Sequence, residues 1–420
     1  MDKKIISNIV SLFGIQGMNY FIPLITLPYL VKTLGPESYG ILGFSIAFIQ
    51  YFCLITDYGF NLSASRKVAM YSSDKSEVSR IFWHVILCKV ILAMLCTCFL
   101  IVICQTVPYL KMQQDVIWAA YGLIIGNIIF PVWLFQGKEQ MGFSSISNIL
   151  SRAASIPLIF IFVKEANDAW IAAFITSMTA ILGGLISIFL LWRKKWISFE
   201  KIECKRMLTE YKDGWHVFLS TAAVSLYTTS ITVVLGFVAG PIAVGYFVAA
   251  DKLRQAVQGL LVPVSQALYP RINSMMISQP ELAFSLLRKL LRYFSIVGLL
   301  LSLSIFIFAP FGINLLYGEL YQSSVVVLYI LAFCPALVAV SNVLGIQTML
   351  VLGFNKEFSR ILICSGVLCL IIIFPLSLFW KEVGAAWSVL IAEFTVTAMM
   401  LLFIWHKKIP LYKNKHESCK

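Results

Sequence analysis

Asp251, Arg254, Gln255 and Gln258 stand at i, i+3, i+4 and i+7 within residues 240–263, GPIAVGYFVAADKLRQAVQGLLVP. On a helix they share one face, and Lys252 sits beside that stripe. Guanidinium and ammonium groups in such a stripe pair with phosphate, and a carboxylate there must be paired or protonated. Depth decides which chemistry is open to them. At 1.5 Å per residue Asp251 lies roughly 15 Å beyond Pro241, about halfway through a hydrocarbon core of about 30 Å. Insertion scales charge about 2.5–3.5 kcal/mol for each central Asp, Lys or Arg, so the three cost on the order of 8–10 kcal/mol against lipid. Such a helix must turn this face toward protein or water, and a solvated internal pathway is the functional expectation. The alternative is an amphipathic segment on the membrane surface, where the same charges cost little.

Four further ionisable residues fall in or at the edge of apolar runs: Lys89, Arg152, Glu393 and Asp57. Glu393, in SVLIAEFTVTA, sits too deep to snorkel, so it is a candidate proton or cation site or one half of a structural ion pair. Arg152 is flanked by Ser144, Ser145, Ser147, Asn148 and Ser151, which suggests a wet helix face. Lys89 lies close enough to a helix end to snorkel. Asp57 closes a span in LITDYGFN. The candidate cavity residues are therefore Arg152, Lys252, Arg254, Lys89, Asn148 and Gln255, and the candidate coupling acids are Glu393, Asp251 and Asp57. His84, His216, His406 and His416 show no metal-ligand pairing, so neither a metal nor a cofactor is expected, and no catalytic residue is assigned. Tyr20 and Tyr227 could face a cavity, although most tyrosines here read as interface or packing residues. Two runs are unusually polar for spans, one with Asn8, Ser11, Gln16 and Asn19, the other with Ser220, Ser225, Thr228, Thr229 and Ser230; such helices normally line an interior.

Elements able to hold these residues are plain in the composition. Of 420 residues 60% are hydrophobic and 13% charged, against about 25% charged in soluble domains. Long continuous apolar runs point to membrane helices and away from the roughly ten-residue alternating strands of a membrane barrel. Twelve spans are expected, over 8–31, 40–58, 82–105, 115–135, 145–163, 169–192, 215–238, 242–262, 293–316, 324–350, 358–379 and 384–405. The N-terminal MDKKIISNIV runs into an apolar stretch of spanning length and is expected to be a retained first helix rather than a signal peptide. A net charge of +13 invites a nucleic-acid reading. The distribution argues otherwise. The expected outer loops carry only Lys32, Lys111, Lys164 and Lys381, while the other loops hold most of the remaining cations, which places both termini in the cytoplasm and leaves no nucleic-acid partner expected. The ten cysteines lie mostly inside apolar runs without a CxxC pair, so they read as small core hydrophobes. Residues 193–214, RKKWISFEKIECKRMLTEYKDG, form a basic linker attracted to anionic lipid. They divide the chain into expected lobes of six helices each, 1–192 and 215–405, with a cytoplasmic tail over 406–420.

The lobes show signs of repetition. Gly35-Pro36-x-x-x-Gly40 recurs as Gly240-Pro241-x-x-x-Gly245, and the same spacing pairs Gln50 with Gln255. LFQGKEQMGF and VLGFNKEFSR add a second weak match. Two similar halves are the architecture expected of transporters with a central site. ITLPYLVKTLGPESYG (25–40), DYGFNLSASRKVA (57–69), WLFQGKEQM (133–141), GPIAVGYFVAADKLRQ (240–255) and LYPRIN (269–274) together resemble polysaccharide flippases of the O-antigen (Wzx) type, in the superfamily that also holds the multidrug extruders. That resemblance spans nearly the whole chain. It implies an all-α, V-shaped bundle of two six-helix lobes around a central cavity that opens alternately to each side. It implies a cargo of undecaprenyl-diphosphate-linked oligosaccharide repeat units, moved from the inner to the outer leaflet of a bacterial inner membrane. The basic cavity residues would meet the diphosphate, cation coupling through Glu393 or Asp251 is a family-level expectation, and a polysaccharide polymerase and a chain-length regulator are the implied partners beside membrane lipids.

Two rival functions remain. A multidrug exporter of the same superfamily would favour acidic cavity residues for cationic cargo, whereas the interior here leans basic. A membrane enzyme of polysaccharide assembly would want a large outer loop or a cytoplasmic domain with paired carboxylates, and the chain has no D-x-D.

Overall fold

A computed structural model describes the backbone of residues 3–201 and 203–411. Side chains are described for Ile22 and from residue 25 onward, apart from 204–205, 216, 220–221 and 223–228. Tyr20, Tyr227, His216, His416 and most of the polar residues named in spans 8–31 and 215–238 therefore lie outside the described side chains. Among the described residues all regular structure is helical. Among the described residues nine helical segments are long and apolar enough to cross a membrane. The chain is an all-α integral membrane protein.

It divides into two compact units, Ile25–Gly245 and Tyr246–Lys420 with Met1–Leu24. The expected seam at 193–214, drawn from charge and repetition, remains an expectation about the repeat. In order the helices are α1 (Lys3–Asp57), α2 (Phe60–Met70), α3 (Lys75–Thr106), α4 (Pro108–Met112), α5 (Gln114–Ala120), α6 (Gly122–Ile129), α7 (Val132–Gly137), α8 (Met141–Phe162), α9 (Ala169–Arg193) and α10 (Cys204–Gln258). Then follow α11 (Val262–Ser278), α12 (Pro280–Tyr317), α13 (Gln322–Leu331), α14 (Cys334–Asn342) and α15 (Asn355–His406).

Three of these are too long for one crossing. Helices α1, α10 and α15 have 55, 55 and 52 residues, roughly 80 Å if straight. Each is broken once, at Gly35 (φ 70, ψ 175), Gly240 (φ 82, ψ 178) and Lys381 (φ 47, ψ −126). The first two lie in a region almost reserved for glycine, and the proline that follows each is suited to the first turn of the next helix segment. All three breaks fall between expected spans: 8–31 and 40–58, 215–238 and 242–262, 358–379 and 384–405. The count of twelve itself remains an expectation.

In the unit Ile25–Gly245, α9 packs on α5, α6 and α8, and α2 packs on α7. Close approach explains the small residues there: a Cβ on Gly126 would strike Ala180, and one on Gly184 would strike Ile129. The two Gly-Pro motifs meet in this unit. A Cβ on Gly40 would overlap the Pro241 carbonyl, and a Cβ on Gly245 would overlap the Pro36 carbonyl. The contact is reciprocal, each copy's glycine seating the other copy's proline backbone.

The linker is strapped down by polar contacts within the same unit. Lys67 pairs with Glu210 at 2.8 Å and Asp213 at 2.7 Å, and Arg206 pairs with Glu77 at 2.7 Å. His84 Nδ1 donates to the Arg80 carbonyl at 2.6 Å, while Nε2 accepts from the Glu203 N–H at 2.9 Å. Both ring nitrogens of His84 are thus engaged, bracing α3 against the linker.

In the other unit α12 packs on α11, α13 and α14, and α15 packs on α13 and α14. Residues Val343–Leu350 form a π-helix. There the fully buried Gln347 donates to the Ser265 carbonyl at 2.8 Å and to Ser265 Oγ at 2.9 Å, and Ser265 Oγ donates to Asn342 Oδ1 at 2.6 Å.

Candidate functional site

Beyond its break at Gly240, α10 carries the charged stripe into the core of the second unit. Two hydroxyls hold this segment just ahead of the stripe. Ser324 donates to the Tyr246 carbonyl at 2.9 Å, and the buried Tyr317 donates to the Ala249 carbonyl at 3.1 Å. One turn further on, Arg254 is 8% exposed. Its Nε and Nη2 both lie 2.7 Å from Asp251 Oδ1. Gln255 Nε2 donates to Asp251 Oδ2 at 2.6 Å, and Arg254 Nη1 donates to Gln258 Oε1. The i, i+3, i+4, i+7 spacing thus becomes one continuous hydrogen-bonded array. Charge-assisted bonds of this kind are the strong ones.

Two other helices complete the surroundings of Arg254. Glu393 of α15 and Cys334, the first residue of α14, lie within electrostatic reach of the guanidinium. Thr397, one turn after Glu393, donates to the Leu337 carbonyl at 3.2 Å and the Glu393 carbonyl at 2.8 Å, which fixes α15 against α14 here. Arg254 therefore faces two carboxylates, one of which, Asp251, already holds it. Among the described residues the Glu393 carboxylate accepts no hydrogen bond. Lys252 points away from the array and is exposed.

Two more candidates meet in the unit Ile25–Gly245. Lys89 is fully buried, and its Nζ donates to Asp57 Oδ1 at 2.7 Å and to the Asn127 carbonyl at 3.5 Å. Asn127 Nδ2 in turn donates to the Cys53 carbonyl at 3.2 Å. The pair and its amide join the end of α1 to α3 and α6. On α8, Ser147 and Ser151 are buried and bond back to the Phe143 and Asn148 carbonyls at 2.9 and 3.0 Å. Ser151 also lies against Gly183 of α9. These serines serve helix packing, and Asn148 is half-buried beside them. Arg152 is exposed and, like Lys252, makes no ion pair among the described residues.

Chemically, the arrangement sorts the candidate cations into two kinds. Arg254 and Lys89 are matched by Asp251 and Asp57, while Arg152 and Lys252 keep uncompensated charge. Sequence reasoning did not reach Asn127, Gln347, Ser265 and Cys334. Their signal was only a polar residue in an apolar run, and their partners lie far along the chain.

Searches for similar folds return membrane transporters. The protein titled "Lipid II flippase MurJ, inward closed conformation" aligns with a TM-score of 0.78 at 12% identity, covering 95% of this chain and 87% of its own. An inward-facing multidrug resistance MATE family transporter of the MOP superfamily aligns with a TM-score of 0.69 at 17% identity, covering 92% and 94%. The fold class is that of this transporter superfamily. The chain belongs to the family described as "Polysaccharide biosynthesis protein", whose model matches residues 5–276. A relative from Escherichia coli (strain K12), named "Putative O-antigen transporter", is 42% identical over 402 residues, 96% of this chain and 97% of the relative. A relative of the same name from Shigella dysenteriae is 32% identical over 398 residues, 94% and 98% of the two chains.

Proposed function

We propose that this chain is a flippase that carries undecaprenyl-diphosphate-linked O-antigen repeat units across a bacterial inner membrane, from the inner to the outer leaflet, by alternating access. The observation that carries the reading is the Asp251–Arg254–Gln255–Gln258 array, built around the buried Arg254 in the last turns of α10, in a chain 42% identical across nearly its whole length to a named O-antigen transporter. Charged residues in a membrane helix cost free energy, and they are kept chiefly where function needs them. Arg152 and Lys252, which make no ion pair among the described residues, are the contacts suited to diphosphate or acidic sugars. Arg254 and Lys89 hold the polar interior in shape. Glu393, near Arg254 and without a hydrogen bond, is the coupling acid in this reading: a proton or a cation there balances the second carboxylate. Both termini are cytoplasmic, and a polymerase and a chain-length regulator act on the exported unit. Drug export has the fold likeness alone in its favour.

Complementation of a flippase-null strain with defined repeat units tests the proposal. Restored O-antigen display with no build-up of lipid-linked sugar on the cytoplasmic side is expected. Persistent build-up with every repeat unit, together with extrusion of cationic dyes, would favour the drug exporter.

A further inference from the structure

Where the two ends of α15 meet, the protein surface carries a groove of about 380 Å³. Its floor is Ile361, Met399, Leu402 and Phe403, and its rim is Glu357, Arg360 and His406. The chain reverses at Lys381, and a Cβ on Gly384 would overlap the Leu376 carbonyl, so the two helical segments run back to back. Residues 357–361 and 399–406 therefore lie at the same membrane face, the one that the charge bias assigns to the cytoplasm. Lys356, Lys407 and Lys408 are exposed beside the rim. Among the described residues of these two stretches, four firm cations, counting Arg360, stand against one acid, Glu357. Arg360 makes no ion pair among the described residues. An apolar floor with Arg360 on its rim and the exposed Lys356, Lys407 and Lys408 next along the chain, at the level of lipid headgroups, has the polarity of an amphiphile with an anionic head.

We propose that this groove is a binding site for an anionic glycerophospholipid of the surrounding leaflet. Its phosphate sits between Arg360 and the Lys407–Lys408 pair, and one acyl chain lies along Met399 and Leu402. Basic pockets between membrane helices on the cytoplasmic side favour such headgroups through local charge. The exposed Trp405 stands at the interface beside the groove. The site is separate from the Arg254 array and holds a resident lipid rather than cargo.

The test uses the purified full-length chain in nanodiscs of phosphatidylcholine doped with phosphatidylglycerol, released into the gas phase and scored by mass for retained lipid. Wild type is expected to keep one phosphatidylglycerol in preference to phosphatidylcholine. Arg360→Gln combined with Lys407→Gln is expected to lower that retention about tenfold. Leu402→Trp, a change at an exposed position, fills the floor and is expected to lower it as well; it carries the test should the charge variant fold poorly. Equal retention in wild type and both variants overturns the site. So does displacement of phosphatidylglycerol by a slight excess of undecaprenyl diphosphate, which would give the groove to cargo. No transport is measured, so failure here leaves the flippase proposal to its own assay.

Discussion

Arg254 keeps its charge inside the helix core because Asp251 is one turn away and takes two of its N–H groups. Breaking a buried pair by removing one partner costs about 3–5 kcal/mol, whereas removing both can be nearly neutral. Arg254→Ala is thus expected to lower the melting temperature and impair export without abolishing membrane insertion. The pair Asp251→Asn with Arg254→Gln should melt closer to wild type yet still export poorly, because the charges are gone while the hydrogen bonds can re-form. Thermal melting in detergent beside lipid-linked sugar build-up in cells separates the two effects, and wild-type export by Arg254→Ala would remove it from the pathway. Glu393→Gln is expected to weaken the dependence of export on a proton or sodium gradient, read by collapsing each gradient in turn. Unchanged dependence would discard it as the coupling acid.

Among the elements, the crossing of the two Gly-Pro motifs makes the sharpest demand. Gly40→Ala or Gly245→Ala forces a methyl onto a proline carbonyl, an overpacking that costs about 1–3 kcal/mol. Each should lower yield and melting temperature. Gly312→Ala on α12, where a Cβ meets nothing within 4 Å, is the control and should be neutral or slightly stabilising, since alanine is the better helix former by up to about 1 kcal/mol. If all three behave alike, the crossing is not tight. Two of the three long-helix breaks were legible beforehand, because a Gly-Pro step both permits the left-handed turn and starts the next segment. The break at Lys381 falls in the gap expected between spans 358–379 and 384–405, but its positive-φ residue was not legible, since no glycine or proline stands there and the turn is held by packing against Gly384. The α10 stripe was legible for a related reason: helical geometry fixes partners three and four residues apart. Lys89 with Asp57 and Gln347 with Ser265 stand 32 and 82 residues apart, and nothing local specifies such pairs. The serines around Arg152 misled in a different way. Hydroxyls that bond their own helix mark close packing as readily as water.

At the scale of the whole chain, composition alone fixed the class, because 13% charged residues leave too few to cover a soluble surface. Orientation rests on the asymmetry of lysine and arginine among the loops. A single cysteine at Phe199, 84% exposed in the linker, placed in a cysteine-free background, is expected to react with an impermeant maleimide only after the cytoplasmic side is opened. Labelling of intact spheroplasts would reverse the topology. Lys89 and Arg254 are matched by Asp57 and Asp251, so the surplus cations behind the net charge of +13 lie mostly in the loops. The reciprocal seating of Gly40 and Gly245 has a further consequence for descent. If the two motifs arose by duplication, neither glycine is free to drift: a side chain at either one meets backbone atoms that no substitution in the other copy can shrink. Ancestry and fit then constrain the same two glycines, Gly40 and Gly245, and directed evolution should leave both unchanged.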